Sequence, residues 1–212
     1  MHLLSILLVL FVGGTCIGVA IFKACRAKAH VGWKRWLTVI GCILVAVGGV
    51  GFFGTMLSAL GGLRWLPTTF EWPAGFVKGI LVMPDGKRVV PHTPSGRIQI
   101  YDSDWRFLRG WFVDAHGGEF KIRLEGKDKI EVTTARRQMR YVYTLDGLLL
   151  SKDTYTPSSY YDFSTSSQSA AVPTRFWLWT FSGPFHSWFV VMLGTVLLLL
   201  TDRTKLRGRK VG

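Results

Sequence analysis

The sequence predicts an integral membrane protein of α+β class, with three transmembrane helices and a small antiparallel all-β domain inserted between the second and third. Three observations carry this. Residues 3–22, 37–63 and 176–201 are apolar stretches without Asp, Glu, Lys or Arg, and each matches or exceeds the roughly 20 residues that cross a bilayer as a helix. Basic residues cluster in the two segments that fall on one side of such a membrane. Between spans two and three the chain changes to short alternating runs broken by turn residues, which is a strand pattern.

The elements follow in order. Only Met1 and His2 precede span one, whereas a secretory signal carries its positive charge before the apolar region. The first span is therefore read as uncleaved. Its loop, 23–36, holds Lys23, Arg26, Lys28, Lys34 and Arg35 and no acid. The tail after span three holds Arg203, Lys205, Arg207, Arg209 and Lys210 against Asp202. These segments carry nine of the thirteen net positive charges. Short basic loops stay in the cytoplasm, which puts the N-terminus and the β domain outside and the C-terminus inside; the absence of Asn and the Arg/Gly-rich usage suggest a bacterial chain, and so a bacterial inner membrane. Residues 1–63 form a helical hairpin, 64–153 the β domain, 154–175 a Ser/Thr-rich connector, and 176–212 the third span with its basic tail. Pro is favoured in a first helical turn, so the third helix proper should run over 184–201.

Aromatic rings prefer headgroup level, and Trp33, Trp36, Trp65, Trp72, Trp177, Trp179 and Trp188 are read as membrane-interface anchors. Small residues four apart let helix backbones approach. Gly14 and Gly18 in span one, and Gly51, Gly54, Ser58 and Gly62 in span two, are the helix-packing candidates. The spans hold no ionisable group at membrane depth apart from the near-terminal His186, which argues against transport by this chain alone. The pI near 10 fits attraction to anionic headgroups, at about 1 kcal/mol per basic residue. Nucleic acid is not expected, because the β domain lacks a basic face interleaved with aromatics.

Strands are expected near 77–83, 88–91, 97–101, 106–113, 119–125, 129–134, 139–144 and 147–151. Asp85-Gly86 and Asp146-Gly147 are hairpin-turn dipeptides. An internal repeat sets Tyr101-Asp-Ser-Asp104 against Tyr143-Thr-Leu-Asp146, and Gly79-Ile-Leu-Val82 against Lys121-Ile-Arg-Leu124, both 42 residues apart. Four strands in 40–45 residues is the size of one propeller blade. The run from Gly96 through Tyr101-Asp-Ser-Asp-Trp-Arg-Phe-Leu to Trp111 resembles the last half of an NHL-type β-propeller repeat, over about 80 residues for the two units together. The resemblance implies blade-like four-stranded sheets, with a small sandwich as the other arrangement. It does not extend to the Asn-His-Leu signature, since the chain has no Asn, and Trp105 replaces a turn Gly. Two blades cannot close a propeller, so open edges must be covered. Trp105, Trp111, Tyr160 and Tyr161 are the partner-facing candidates.

No catalytic, metal or cofactor site is expected. Asp114, His116 and Glu119 lie close in sequence but read as a polar turn. The β domain has no Cys, the motifs of phosphate-binding loops, esterases and zinc proteases are missing, and no nucleophile has a candidate base nearby in sequence. Together these features point to a non-enzymatic accessory or scaffold subunit whose partners are other membrane protein subunits. A stand-alone envelope protein that binds a ligand, peptide or glycan is the alternative, followed by a membrane-anchored hydrolase.

Overall fold

The computed structural model describes Thr15, Gly18, Val19, Phe22, residues 32–156, Tyr160 and residues 168–208, with side chains to Thr201. Most of span one with Gly14, most of loop 23–36 and Tyr161 lie outside the described residues. The chain is α+β and divides into two compact units, 1–54 with 183–212, and 55–182.

Two described helices, α1 (Trp33–Ala59) and α2 (Pro184–Gly208), are long and apolar enough to cross a membrane. α1 stops before the expected residue 63 because Gly61 takes φ +85°. Gly61 N–H then donates to the Ser58 carbonyl and Gly62 N–H to the Leu57 carbonyl, both at 2.8 Å. This is the Schellman closure that a left-handed glycine permits. Gly62 is thus a helix cap and not a packing residue. α2 opens on Pro184 as expected, and Phe176–Phe181 form a separate 3-10 helix.

In the helical unit the two helices run antiparallel and touch through glycines. A Cβ on Gly48 would lie 2.7 Å from the Ser187 carbonyl, and one on Gly194 would lie 2.7 Å from the Gly41 carbonyl. Gly41, Gly48 and Gly194 therefore bring the backbones together, as small residues do in membrane helices. Of the expected packing residues, Gly54 and Gly18 have no neighbour within 4 Å of a Cβ position among the described residues and Gly51 is buried within α1.

The β unit holds two four-stranded meanders. Sheet one has the order β2 (Leu81–Val82), β3 (Arg88–His92), β4 (Arg97–Tyr101), β5 (Phe107–Phe112). Sheet two has the order β6 (Phe120–Glu125), β7 (Lys129–Thr134), β8 (Met139–Thr144), β9 (Leu149–Thr154). The expected strand 77–83 is split at Gly79, and its first part, β1 (Phe76–Lys78), pairs instead with β10 (Ser169–Ala171). β10 lies inside the stretch expected to be a connector.

The repeat governs the pairing. Leu81 pairs with Val89, Val89 with Ile100, Ile100 with Arg109 and Tyr101 with Phe107. Adding 42 to each number gives the pairs of sheet two: Arg123–Glu131, Glu131–Val142, Val142–Ser151 and Tyr143–Leu149. The bulges coincide too, at 100/101 and 142/143. In the turns that follow, Asp102 Oδ1 accepts the N–H of 104 and 106, and Thr144 Oγ1 that of 146 and 148. Gly147 has φ +83° and Trp105, its equivalent, φ +63°. This backbone disfavours a side chain. Trp105 is held by Arg88 at 4.6 Å and Tyr101 at 5.8 Å.

Equivalent strands use opposite faces. Val89, Ile98, Ile100 and Trp111 of sheet one share a buried core with Ile130, Val132, Tyr141 and Tyr143 of sheet two. The sheets stack head to tail, an arrangement that propagates unless both ends are closed. The outer face of sheet two is closed by charge: buried Glu131 lies 2.5 Å from Arg123 Nε and 2.6 Å from Arg140 Nε. The Arg140 contact is an ion pair and not an aligned hydrogen bond. The outer face of sheet one is closed by the chain itself, through segments 67–75 and 168–182.

Candidate functional site

The closure over sheet one is a buried polar seam. β4 directs Arg97, Gln99 and Tyr101 to this side, because alternate residues of a strand share a face. The Gln99 amide completes the backbone of Trp72 both ways: Trp72 N–H donates to Oε1 at 2.6 Å, and Nε2 donates to the Trp72 carbonyl at 2.9 Å. Tyr101 donates to Glu71 at 3.1 Å, and burial, with the Glu71 carboxylate second, pushes its pKa up. Trp72 Nε1–H donates to the Phe181 carbonyl at 3.0 Å.

His92 and Ser95 extend the seam at the 3-10 turn Thr93–Ser95. His92 Nε2 lies 2.8 Å from the Ser182 carbonyl and Nδ1 2.6 Å from Ser95 Oγ. The carbonyl requires a proton on Nε2, so Ser95 donates to Nδ1. The Ser58 hydroxyl, expected to pack helices, donates to the Ser95 carbonyl at 2.7 Å. A serine and a histidine three residues apart correct the expectation that no nucleophile had a base nearby. The contact has the separation of an activated nucleophile, but Ser95 is fully buried and His92 is 1% exposed. Burial, only partly opposed by the Ser182 carbonyl, depresses the imidazole pKa to about 4. The pair is a structural latch.

Arg97 is the anomaly of the seam. Its side chain is fully buried. Nη2 is 3.5 Å from the Pro67 carbonyl and 3.4 Å from that of Gly110, and the Phe70 ring lies 5.9 Å away. Nε and Nη1 have no acceptor and the guanidinium no carboxylate among the described residues. Its burial lowers its pKa.

Asp114, His116 and Glu119 lie in the connection between β5 and β6. His116 Nε2 lies 3.1 Å from Asp114 Oδ1, and no group of three metal-ligating side chains occurs among the described residues.

Among its exposed charged and polar residues, the β unit also exposes large apolar side chains. Phe176, Trp177, Leu178 and Trp179 project from the 3-10 helix, and Trp65 is exposed. β9 is a sheet edge of six residues with no strand paired to it among the described residues, preceded by Leu148, and Leu148, Leu149 and Leu150 are all exposed. The β5 edge, in contrast, is covered where Gly110 N–H donates to Thr68.

The sequence-predicted residues thus separate. Trp33, Trp36, Trp65, Trp177, Trp179 and Trp188 are exposed. Trp72 is not, because its indole N–H and backbone are spent within the seam. Of the partner-facing candidates, Trp111 is buried against Gly147 and Tyr143. Tyr160 stacks on Tyr155 at 6.4 Å and receives Lys121 over its ring at 4.5 Å. Sequence reasoning missed the seam residues His92, Ser95, Arg97 and Gln99. The available signal was Arg and Gln at alternate positions of a strand otherwise apolar, Arg97-Ile-Gln-Ile-Tyr101. The chain matches no family model, no curated protein and no solved structure.

Proposed function

We propose that this chain is a non-enzymatic accessory or scaffold subunit of a membrane complex, with its apolar helices in the bilayer and its β unit docking other subunits on the outer face. The observation that carries it is the contrast between buried and exposed chemistry in the β unit. The histidine–serine pair His92 and Ser95 is fully buried and engaged in holding segment 168–182 over sheet one. The surface presents a leucine-rich strand edge unpaired among the described residues, the kind of edge to which another strand adds. The 42-residue repeat and the head-to-tail stacking are in keeping with a blade-like, NHL-type ancestry in which cis segments close what a full propeller would leave for the next blade. The basic segments on either side of the apolar helices favour an outside β unit and a cytoplasmic C-terminus.

Purification of the full chain in mild detergent, with identification of what accompanies it, tests this. A fixed set of membrane proteins should co-purify and should be lost on Leu149→Lys with the fold retained. Purification as a lone, fully stable protein would favour an independent envelope module. Hydrolysis of an ester or peptide that vanishes in Ser95→Ala would favour the enzyme.

A further inference from the structure

We propose that the 3-10 helix Phe176–Phe181 is a preformed platform that seats in the headgroup layer of an anionic bilayer on the side of the β unit, with Arg175 meeting the lipid charge. This rests on the membrane location advanced above and adds a lipid class and a surface to it.

The platform is rigid from beneath and apolar above. Its C-terminal end is fixed by buried and partly buried hydrogen bonds: Trp72 to the Phe181 carbonyl, His92 to the Ser182 carbonyl, and the Ser182 N–H and hydroxyl to the Trp179 carbonyl at 3.0 and 2.7 Å. Its side chains nonetheless project outward, Phe176 83% exposed, Trp177 55% and Trp179 47%. Their exposure is imposed by hydrogen bonding and does not arise from looseness. Such a row of aromatics is disfavoured against water, while indole and phenyl rings are stable at headgroup depth.

Two further observations select lipid. The first is charge. Arg175 is the one charged residue between Asp162 and Asp202. It is exposed, with its guanidinium 5.5 Å from the Trp177 ring, and makes no ion pair among the described residues. A cation beside an exposed aromatic row matches a phosphate-bearing surface. The second is chain continuity. The end of α1 and the start of α2 lie at the same end of their antiparallel pair. Trp65, six residues past Ala59, and Trp179, five before Pro184, therefore continue from one side of the bilayer.

The test uses the full chain with Cys16, Cys25 and Cys42 replaced by Ala, reconstituted in phosphatidylcholine vesicles with and without phosphatidylglycerol. A fluorophore is placed at Trp177→Cys, Lys127→Cys or Ile40→Cys. Nitroxide lipids carry the quencher at the headgroup or deep in the acyl chain. Position 177 should be quenched several-fold more by the headgroup nitroxide than by the deep one, position 127 by neither, and position 40 by the deep one. Phosphatidylglycerol should increase quenching at 177, and Arg175→Gln should abolish that increase. Deep quenching at 40 with none at 177 would overturn the platform while leaving the membrane location intact. Quenching at 177 that ignores both phosphatidylglycerol and Arg175→Gln would overturn the anionic preference. Absence of quenching at all three positions, with no flotation of the protein with the vesicles, would overturn the membrane location itself.

Discussion

Lowering the pH from 7 toward 4 should destabilise the β unit through one side chain, His92. Burial depresses its pKa from the ordinary 6.5 to about 4, because the folded seam holds the ring neutral between Ser95 and the Ser182 carbonyl. The unfolded chain takes up a proton below about 6.5 that the folded chain refuses until about 4. Stability from this residue is thus fully present above the unfolded value, falls across the window between the two, and levels off below it. At 1.36 kcal/mol per pH unit the full loss is about 3 kcal/mol, or roughly 10 °C in midpoint for a unit of this size. Thermal unfolding of the full chain in mild detergent, followed by near-UV circular dichroism from pH 8 to 4, measures it. His92→Gln should be less stable at pH 7 yet lose this part of the pH dependence. Carboxylates titrate alike in both proteins, so the difference between the two curves is the readout. Parallel curves would refute the assignment.

Three further outcomes are expected. Gly48→Leu and Gly194→Leu should cost about 1–3 kcal/mol by overpacking, because their Cβ positions lie 2.7 Å from facing carbonyls. Gly54→Leu, at a position with no close neighbour among the described residues, should change thermal stability in detergent little. Arg97→Met should leave the β unit as stable or more so, since an apolar replacement removes a buried charge that has only two long carbonyl contacts and no carboxylate among the described residues, whereas Arg97→Ala should lose about 2–5 kcal/mol to the cavity; chemical denaturation of both variants compares them. A fragment of residues 64–182 should unfold cooperatively, while 74–153 should be marginal or self-associate, because the shorter piece deletes Trp72, Val172, Thr174 and Ser182, the partners of Gln99, Val77, Gly75 and His92. Calorimetry and sedimentation of the two fragments decide this.

The local and periodic features of this protein were determined by the sequence alone. Two apolar helices, the start of α2 at Pro184, most strand limits and the 42-residue repeat are written in neighbouring residues, since hydropathy, proline and turn dipeptides act over a few positions. Tertiary structure decided where faces go. Alternation tells that Gln99 and Ile100 point to opposite sides, but not that one side meets a second sheet and the other meets Trp72, 27 residues earlier. Glycine spacing in α1 marked several small faces. Only the presence of α2 selected Gly41 and Gly48, while Gly61 turned the chain before Gly62 could pack. Trp72 and Trp177 look alike as interfacial tryptophans, and one is buried while the other is exposed. That difference depends on segments 67–75 and 168–182 closing over one sheet, a long-range pairing that no short window of sequence contains.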